Sequence, residues 1–200
     1  MMGSATYQAI VIGGSSGALD ALSIILPALP ERFQIPIAIV LHVPPNRPSL
    51  LADVLGARCA LPVREVEDKE PLAPATVYIA PPNYHLLIER ERTFALSTDA
   101  PVHFSRPAID VLFESAAEAY RERLLAVLLA GANEDGARGL GKVKAMGGTV
   151  VVQEPSSTRA PEMPRAALRT VAVDGVLAPP DIAAFLVEAG DRDTPAESRT

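Results

Sequence analysis

The sequence is short of three things: it has one cysteine, three histidines, and no apolar run near the roughly 20 residues of a membrane-spanning helix. Each scarcity excludes something. Cys59 has no second cysteine for an intrachain disulfide, and its neighbours Ala57 and Ala60 suit a small buried hydrophobe. The N-terminus lacks the charged start and long apolar segment of a secretory signal. Lysine and arginine total 18 against 24 acidic residues, and the net charge of −6 with no basic cluster argues against a nucleic-acid partner. A mononucleotide phosphate loop needs Gly-Lys-Ser/Thr, which the sequence does not contain. What remains is a 200-residue chain, 48% hydrophobic, expected to be cytoplasmic, without direct membrane insertion, and built on one sizeable core.

What is present is an alternation of apolar runs and helical periodicities. Runs at 9–12, 36–41, 124–129 and 149–153 predict strands, and shorter runs at 63–66 and 76–79 predict two more. Helices are expected over 18–26, 49–55, 106–120, 137–146, 164–169 and 180–189. In the third, Ile109, Leu112, Phe113, Ala116, Ala117 and Tyr120 form one apolar face, and Pro107 suits its first turn. Segments 85–90 and 93–97 predict a hairpin. The expected fold is α/β: a doubly wound, mostly parallel sheet flanked by helices, with one antiparallel hairpin. The domain should span 9–189, behind an N-terminal extension of 1–8 and ahead of a polar, disordered tail of 190–200.

In such a sheet, functional groups gather at the carboxyl ends of the strands. The first strand runs into Val11-Ile-Gly-Gly-Ser-Ser-Gly-Ala18, which admits a phosphate cradle, a nucleophile on a sharp turn, or a plain tight connection. Counted from Gly13, a dinucleotide loop wants glycine at the third and sixth places, where Ser15 and Ala18 stand. The stretch does fit Gly-x-Ser-x-Gly between strand and helix, which would raise Ser15 on a turn with small neighbours. The helix start would then offer free amides to a developing oxyanion. On this stretch alone the nucleophile and the plain connection both stay open. His42 ends an apolar strand at the same sheet edge and is the candidate base. His85 reads as structural or rim, and His103 as substrate-side. Asp135, in the segment from Gly131 to Gly136 at a third strand end, is the candidate to orient the base, against the alternative of a helix N-cap. Asp20 and Asp110 read as solvated or capping carboxylates.

Seven segments, taken in order, resemble the catalytic domain of the chemotaxis protein-glutamate methylesterases, the CheB family. They are "VIGGSSGALDAL", "LHVPP", "VYIAPPNYHLLI", "PVHFSRPAIDVLFESAA", "AVLLAGANEDGARGL", "GGTVVVQEPSS" and "EMPRAAL", and together they cover roughly 8–189. The resemblance implies that Ser15, His42 and Asp135 form a catalytic triad, with Ser16, Gly17, Ala132, Arg106 and Met163 on the oxyanion or substrate side. It implies hydrolysis of glutamate methyl esters on chemoreceptor cytoplasmic domains, deamidation of some receptor glutamines, and no metal or cofactor. Ala132 and Asn133 stand where the family has Met-Gly, Ser105 where it usually has histidine, and Pro161-Glu162 where glycine is usual. These departures touch substrate preference more than the triad. The rival readings are a CheB-like binding module without activity and a hydrolase of small esters. Family members usually carry an N-terminal phosphorylatable receiver domain. With about eight residues ahead of the first strand, this chain is expected to lack one, and its cleft to be open and indifferent to a phosphodonor. Control is then expected from another chain at the rim, near 45–48, 103–106 or 154–161.

Overall fold

The structure is a computed structural model that describes residues 7–43 and 49–193. Residues 45–48, one of the expected control surfaces, therefore lie outside the described residues. In chain order the strands are β1 (Ala9–Gly14), β2 (Ile37–Leu41), β3 (Val63–Glu65), β4 (Val77–Ile79), β5 (His85–Ile88), β6 (Phe94–Ser97), β7 (Leu124–Leu128), β8 (Thr149–Gln153) and β9 (Gly175–Leu177). The helices are α1 (Ala18–Ile25), α2 (Leu51–Gly56), α3 (Ile109–Tyr120), α4 (Ala137–Ala145), α5 (Glu162–Thr170) and α6 (Pro179–Asp193). Seven strands form one parallel sheet in the order β3-β4-β2-β1-β7-β8-β9, and β5 and β6 form a separate antiparallel pair. Among the described residues no helix is long and apolar enough to cross a membrane.

The period-two alternation of the strands decides which helix lies on which face. Ile10, Ile12, Ile37, Ile39, Val127 and Val151 point to a core shared with α1 and α6. Ala9, Val11, Ala38, Val40, Ala126 and Val150 point the other way, to a core shared with α3, α4 and the hairpin. The second face carries more alanine, and that is the face α3 approaches closely. Gly13 shows how closely: a Cβ there would stand 2.2 Å from Ile109 Cγ2 and 3.0 Å from Phe113 Cζ.

The structure corrects five expectations. A ninth strand, Gly175–Leu177, pairs with β8 through three residues, too few to show a periodicity. Pro107 is not in the first turn of α3, which begins at Ile109; the Arg106–Pro107 peptide is cis. The last helix continues past Gly190 to Asp193 rather than fraying, because the Phe33 ring packs where a Cβ of residue 190 would stand, 2.5 Å away. Tyr7 and Gln8 belong to the fold rather than to an extension: the Tyr7 hydroxyl bonds Thr149 Oγ1 at 3.0 Å, and the Gln8 amide donates to Arg123 O at 2.9 Å. Cys59 is half-buried, not fully buried, and burial pushes its thiol pKa up.

The close approach at Gly13 yields a stability test. Gly13→Ala forces one methyl into a β-branched side chain at the start of α3, and overpacking of this kind costs about 1–3 kcal/mol. A urea melt of the variant should show a loss of that size.

Candidate active site

The site lies where the sheet reverses direction. From β1 the chain winds outward through β2, then returns to the other side of β1 with β7, so β2, β1 and β7 are neighbours. Their carboxyl ends meet at the switch point where open α/β sheets bind ligands. Ser15 is the first residue past β1. Its amide donates to Ala130 O at 2.8 Å and its carbonyl accepts the Ala18 amide at 3.0 Å, so the turn is pinned from both sides. Gly14 must be small, since a Cβ there would meet the Ala18 Cβ at 2.5 Å. Gly17 is left-handed, with φ 83°, and ends the turn where α1 starts. The amides of Ser16 and Gly17 make no hydrogen bond among the described residues, and no side chain caps α1. That leaves two free backbone donors next to Ser15 in the chain.

His42 is the first residue past β2, directly beside Ser15 in register, and its amide donates to Gly14 O at 3.2 Å. Its ring Nε2 stands 2.8 Å from Asp135 Oδ2. Asp135 is fully buried and also accepts the Ile109 amide on Oδ2 at 2.8 Å and the Asp110 amide on Oδ1 at 3.0 Å. Burial alone would push its carboxyl up, but the His42 hydrogen bond and the two amides outweigh burial and leave it below the usual carboxylate range. The carboxylate is therefore ionised near neutrality, so Nε2 carries the imidazole proton and Nδ1 is the basic nitrogen. Among the described residues neither His42 Nδ1 nor the Ser15 hydroxyl has a hydrogen bond. The structure thus joins two of the three predicted residues directly and sets the third at the adjoining strand end.

Asp135 does not cap its own helix. Gly136, left-handed at φ 93°, is the N-cap residue of α4, and Asp135 instead caps α3 through Ile109 and Asp110. The service is returned by Asp110. Its fully buried Oδ1 accepts the Gly136 amide at 3.0 Å and the Gly139 amide at 2.7 Å, both at the start of α4. Its Oδ2 faces His103 Nε2 at 3.2 Å and Arg138 Nε at 3.5 Å. Burial raises the Asp110 pKa and the charge on Asp135 adds to that, against the Gly139 amide, Arg138 and His103. Atoms of His103, Asp110 and Asp135 lie within 4.8 Å of one another, and every carboxylate oxygen among them already accepts a hydrogen bond. Sequence reasoning left Asp110 as a solvated or capping group. The signal was there: a carboxylate between Ile109 and Leu112 on the apolar side of α3. It also missed Gln153, 1% exposed, whose Oε1 accepts the Ala130 amide at 2.9 Å and so steadies the carbonyl that holds Ser15.

The remaining predicted residues divide. Ala132 is exposed, and its amide has no partner among the described residues. Met163 is fully buried: its sulfur and methyl sit where a Cβ of Gly131 would stand, at 2.7 and 2.4 Å, so it braces the loop from behind rather than facing a substrate. Arg106 donates to Thr98 O at 2.7 Å and Asp99 O at 2.9 Å. With His42, Asn83, Phe104 and Ser105 it lines a pocket of about 160 Å³. A larger groove of about 750 Å³ lies on the other side of the turn, between α1 and the segment from Gln153 to Ala160. His85, 1% exposed, is structural: it accepts the Ala108 amide on Nδ1 at 3.2 Å and bonds Ala100 O through Nε2 at 3.1 Å.

Two predictions follow from the crossed caps. Asp110→Ala orphans the Gly136 and Gly139 amides, and since a buried unpaired donor costs about 1–3 kcal/mol, denaturant melts should show a loss on the order of 2–4 kcal/mol. Asp110→Asn keeps one acceptor oxygen and should lose less. The second concerns pH. A carboxyl with a depressed folded pKa contributes stability that is present above its unfolded pKa and is withdrawn as pH falls through the folded value. Urea melts from neutral to acid pH should therefore show the gap between parent and Asp135→Asn widest near neutrality and closing on acidification.

Comparison with known proteins accords with this geometry. The CheB methylesterase family description matches residues 10–186. A protein of Leptospira interrogans, provisionally named protein-glutamate methylesterase/protein-glutamine glutaminase, is 47% identical over 181 residues, covering 90% of this chain and 94% of its own length. The protein-glutamate methylesterase/protein-glutamine glutaminase of Thermotoga maritima is 36% identical, and the match covers 90% of this chain but 53% of that protein. The crystal structure of the Thermotoga maritima CheB methylesterase catalytic domain superposes with a TM-score of 0.87 at 36% identity, over 91% of this chain and 98% of that one. The chain belongs to the CheB methylesterase family.

Proposed function

We propose that the chain is a cytoplasmic serine hydrolase that demethylates glutamate methyl esters on chemoreceptor cytoplasmic domains, and deamidates receptor glutamines by the same route, using Ser15, His42 and Asp135. The observation that carries the reading is the His42–Asp135 couple, 2.8 Å between Nε2 and Oδ2, at the strand end beside Ser15. The names of the relatives, which join methylesterase and glutaminase, supply the substrate class.

With Nε2–H committed to Asp135, Nδ1 takes the Ser15 proton as Oγ attacks the ester carbonyl carbon. The amides of Ser16, Gly17 and Ala132, which have no other partner among the described residues, are the donors available to the negative charge on the tetrahedral oxygen. Collapse breaks the C–OMe bond, and the proton on Nδ1 goes to the departing methoxide, which leaves as methanol. Water then enters, gives a proton to Nδ1 and attacks the acyl-enzyme; the second collapse returns the proton to Ser15 Oγ and frees a glutamate carboxylate. A glutamine follows the same path with ammonia leaving. Asp135 keeps the imidazole in the productive tautomer and stabilises the imidazolium that forms in each half.

Methanol release from methylated receptor membranes tests the reading. Ser15→Ala should abolish it while leaving the melting curve near the parent's, because one hydroxyl on a surface turn contributes little to stability. Asp135→Asn should slow it by as much as ~10⁴-fold. Residual release near the parent rate in folded Ser15→Ala protein would refute the nucleophile. A parent that turns over only small chromogenic esters would make the chain a small-ester hydrolase, and one inert to both, a binding module.

A further inference from the structure

Residues Val102–Ser105 form a two-residue hairpin. The Ser105 amide donates to Val102 O at 2.9 Å and the Val102 amide to Ser105 O at 3.1 Å. The two central residues, His103 and Phe104, have φ of 47° and 60°. Positive φ at both central positions marks the primed turn, which favours Asn-Gly because a Cβ is crowded there. A histidine and a phenylalanine stand in it instead. His103 has a reason to be there: its ring holds the buried Asp110 carboxylate at 3.2 Å. Phe104 has no such internal role. It is 104% exposed, against 66% for Leu50, the next most exposed large apolar residue among those described.

The position of the ring is informative. Phe104 lines the pocket of about 160 Å³ that contains His42 and Arg106, and also a cavity of about 390 Å³ on its other side with Asn133, Glu134 and Arg169. It therefore stands on the ridge between them. The His42 pocket is below the roughly 300–1,000 Å³ that engulfs a drug-sized ligand, so it admits the end of a side chain and little more. A polypeptide that delivers an ester to His42 must rest its remaining surface on the rim, where Phe104 projects. The turn that carries the ring is anchored below by the His103–Asp110 hydrogen bond, and its exposed aromatic tip is of the kind that serves as an interface anchor.

We infer that Phe104 is a specificity-determining residue that docks the protein substrate, its ring covering an apolar side chain next to the esterified glutamate. It touches the carrier polypeptide and not the reacting atoms. This rests on the proposed methylesterase reading, so the test includes an arm that needs no turnover.

Kinetics of the full chain are compared with Phe104→Ala and Phe104→Leu on a methylated receptor cytoplasmic fragment and on p-nitrophenyl acetate. Phe104→Ala should raise KM for the receptor fragment roughly 30-fold, the threshold of an interface hot spot, and lower the receptor-to-small-ester ratio of kcat/KM by a similar factor. Phe104→Leu should recover part of it. Phe104→Gly should raise Tm by ~2–4 °C through relief of the positive φ, while binding no better than Phe104→Ala. Binding of the fragment to Ser15→Ala protein, with and without Phe104→Ala, separates the two readings: weaker binding supports Phe104 even where no turnover is seen. An unaltered selectivity ratio, equal binding by the two proteins, or a changed oligomeric state with unchanged KM would overturn the inference.

Discussion

A helix start carries about half a positive charge and several amides with no partner inside the helix. This domain buries two such starts side by side, those of α3 and α4, behind its central strands. Neither has a side-chain cap of its own, and each is capped by a carboxylate from the other's neighbourhood: Asp135 serves α3 and Asp110 serves α4. The crossing ties the exit of β7 to the start of α3, on the face of the sheet that α4 also covers. It also explains how two buried carboxylates can lie so close. Asp135 collects three hydrogen bonds and stays ionised, whereas Asp110 sits in the field of Asp135, answered by Arg138 and His103.

The candidate chemistry grows out of that frame. His42 meets an Asp135 already oriented by two amides, so the imidazole adds a hydrogen bond to a fixed acceptor rather than recruiting a mobile one. The same logic holds Ser15. Its amide bonds Ala130 O, and the Ala130 amide bonds Gln153, so three adjacent strands, β1, β7 and β8, converge on one turn. Small residues make the convergence possible. Gly13, Gly14 and Gly131 each occupy a place where a Cβ would strike a neighbour, Ile109, Ala18 or Met163. Ser15 and His42 contribute little to this packing, whereas Asp135 serves both ends, holding His42 and capping α3.

Much of this was legible in the sequence. Apolar runs with helical patterns between them specify a parallel sheet, and the strand ends nominated Ser15, His42 and Asp135 because polar residues there interrupt otherwise buried runs. The order of seven motifs gave the family. What was not legible depends on contacts between distant segments. Asp110 stands on the apolar side of α3, but which amides it serves is fixed only when α4 is placed against α3, and Asp135 looks like the cap of its own helix until Gly136 is seen to turn left-handed. Met163 reads as part of a substrate loop until its side chain is found beneath Gly131. β9 has three residues, and pairing with β8, not periodicity, makes it a strand. Phe104 sits within a motif but differs from its neighbours only in exposure, which no sequence pattern records.

The central claim is that Ser15, and no neighbouring hydroxyl, is the atom His42 activates. A fluorophosphonate probe tests it directly, since an activated serine oxygen displaces fluoride from phosphorus and keeps the label. Peptide mass mapping of the labelled chain should find one adduct, on Ser15, absent when His42 is replaced by alanine. A label on Ser16 or Ser157, or labelling that persists without His42, would contradict the account.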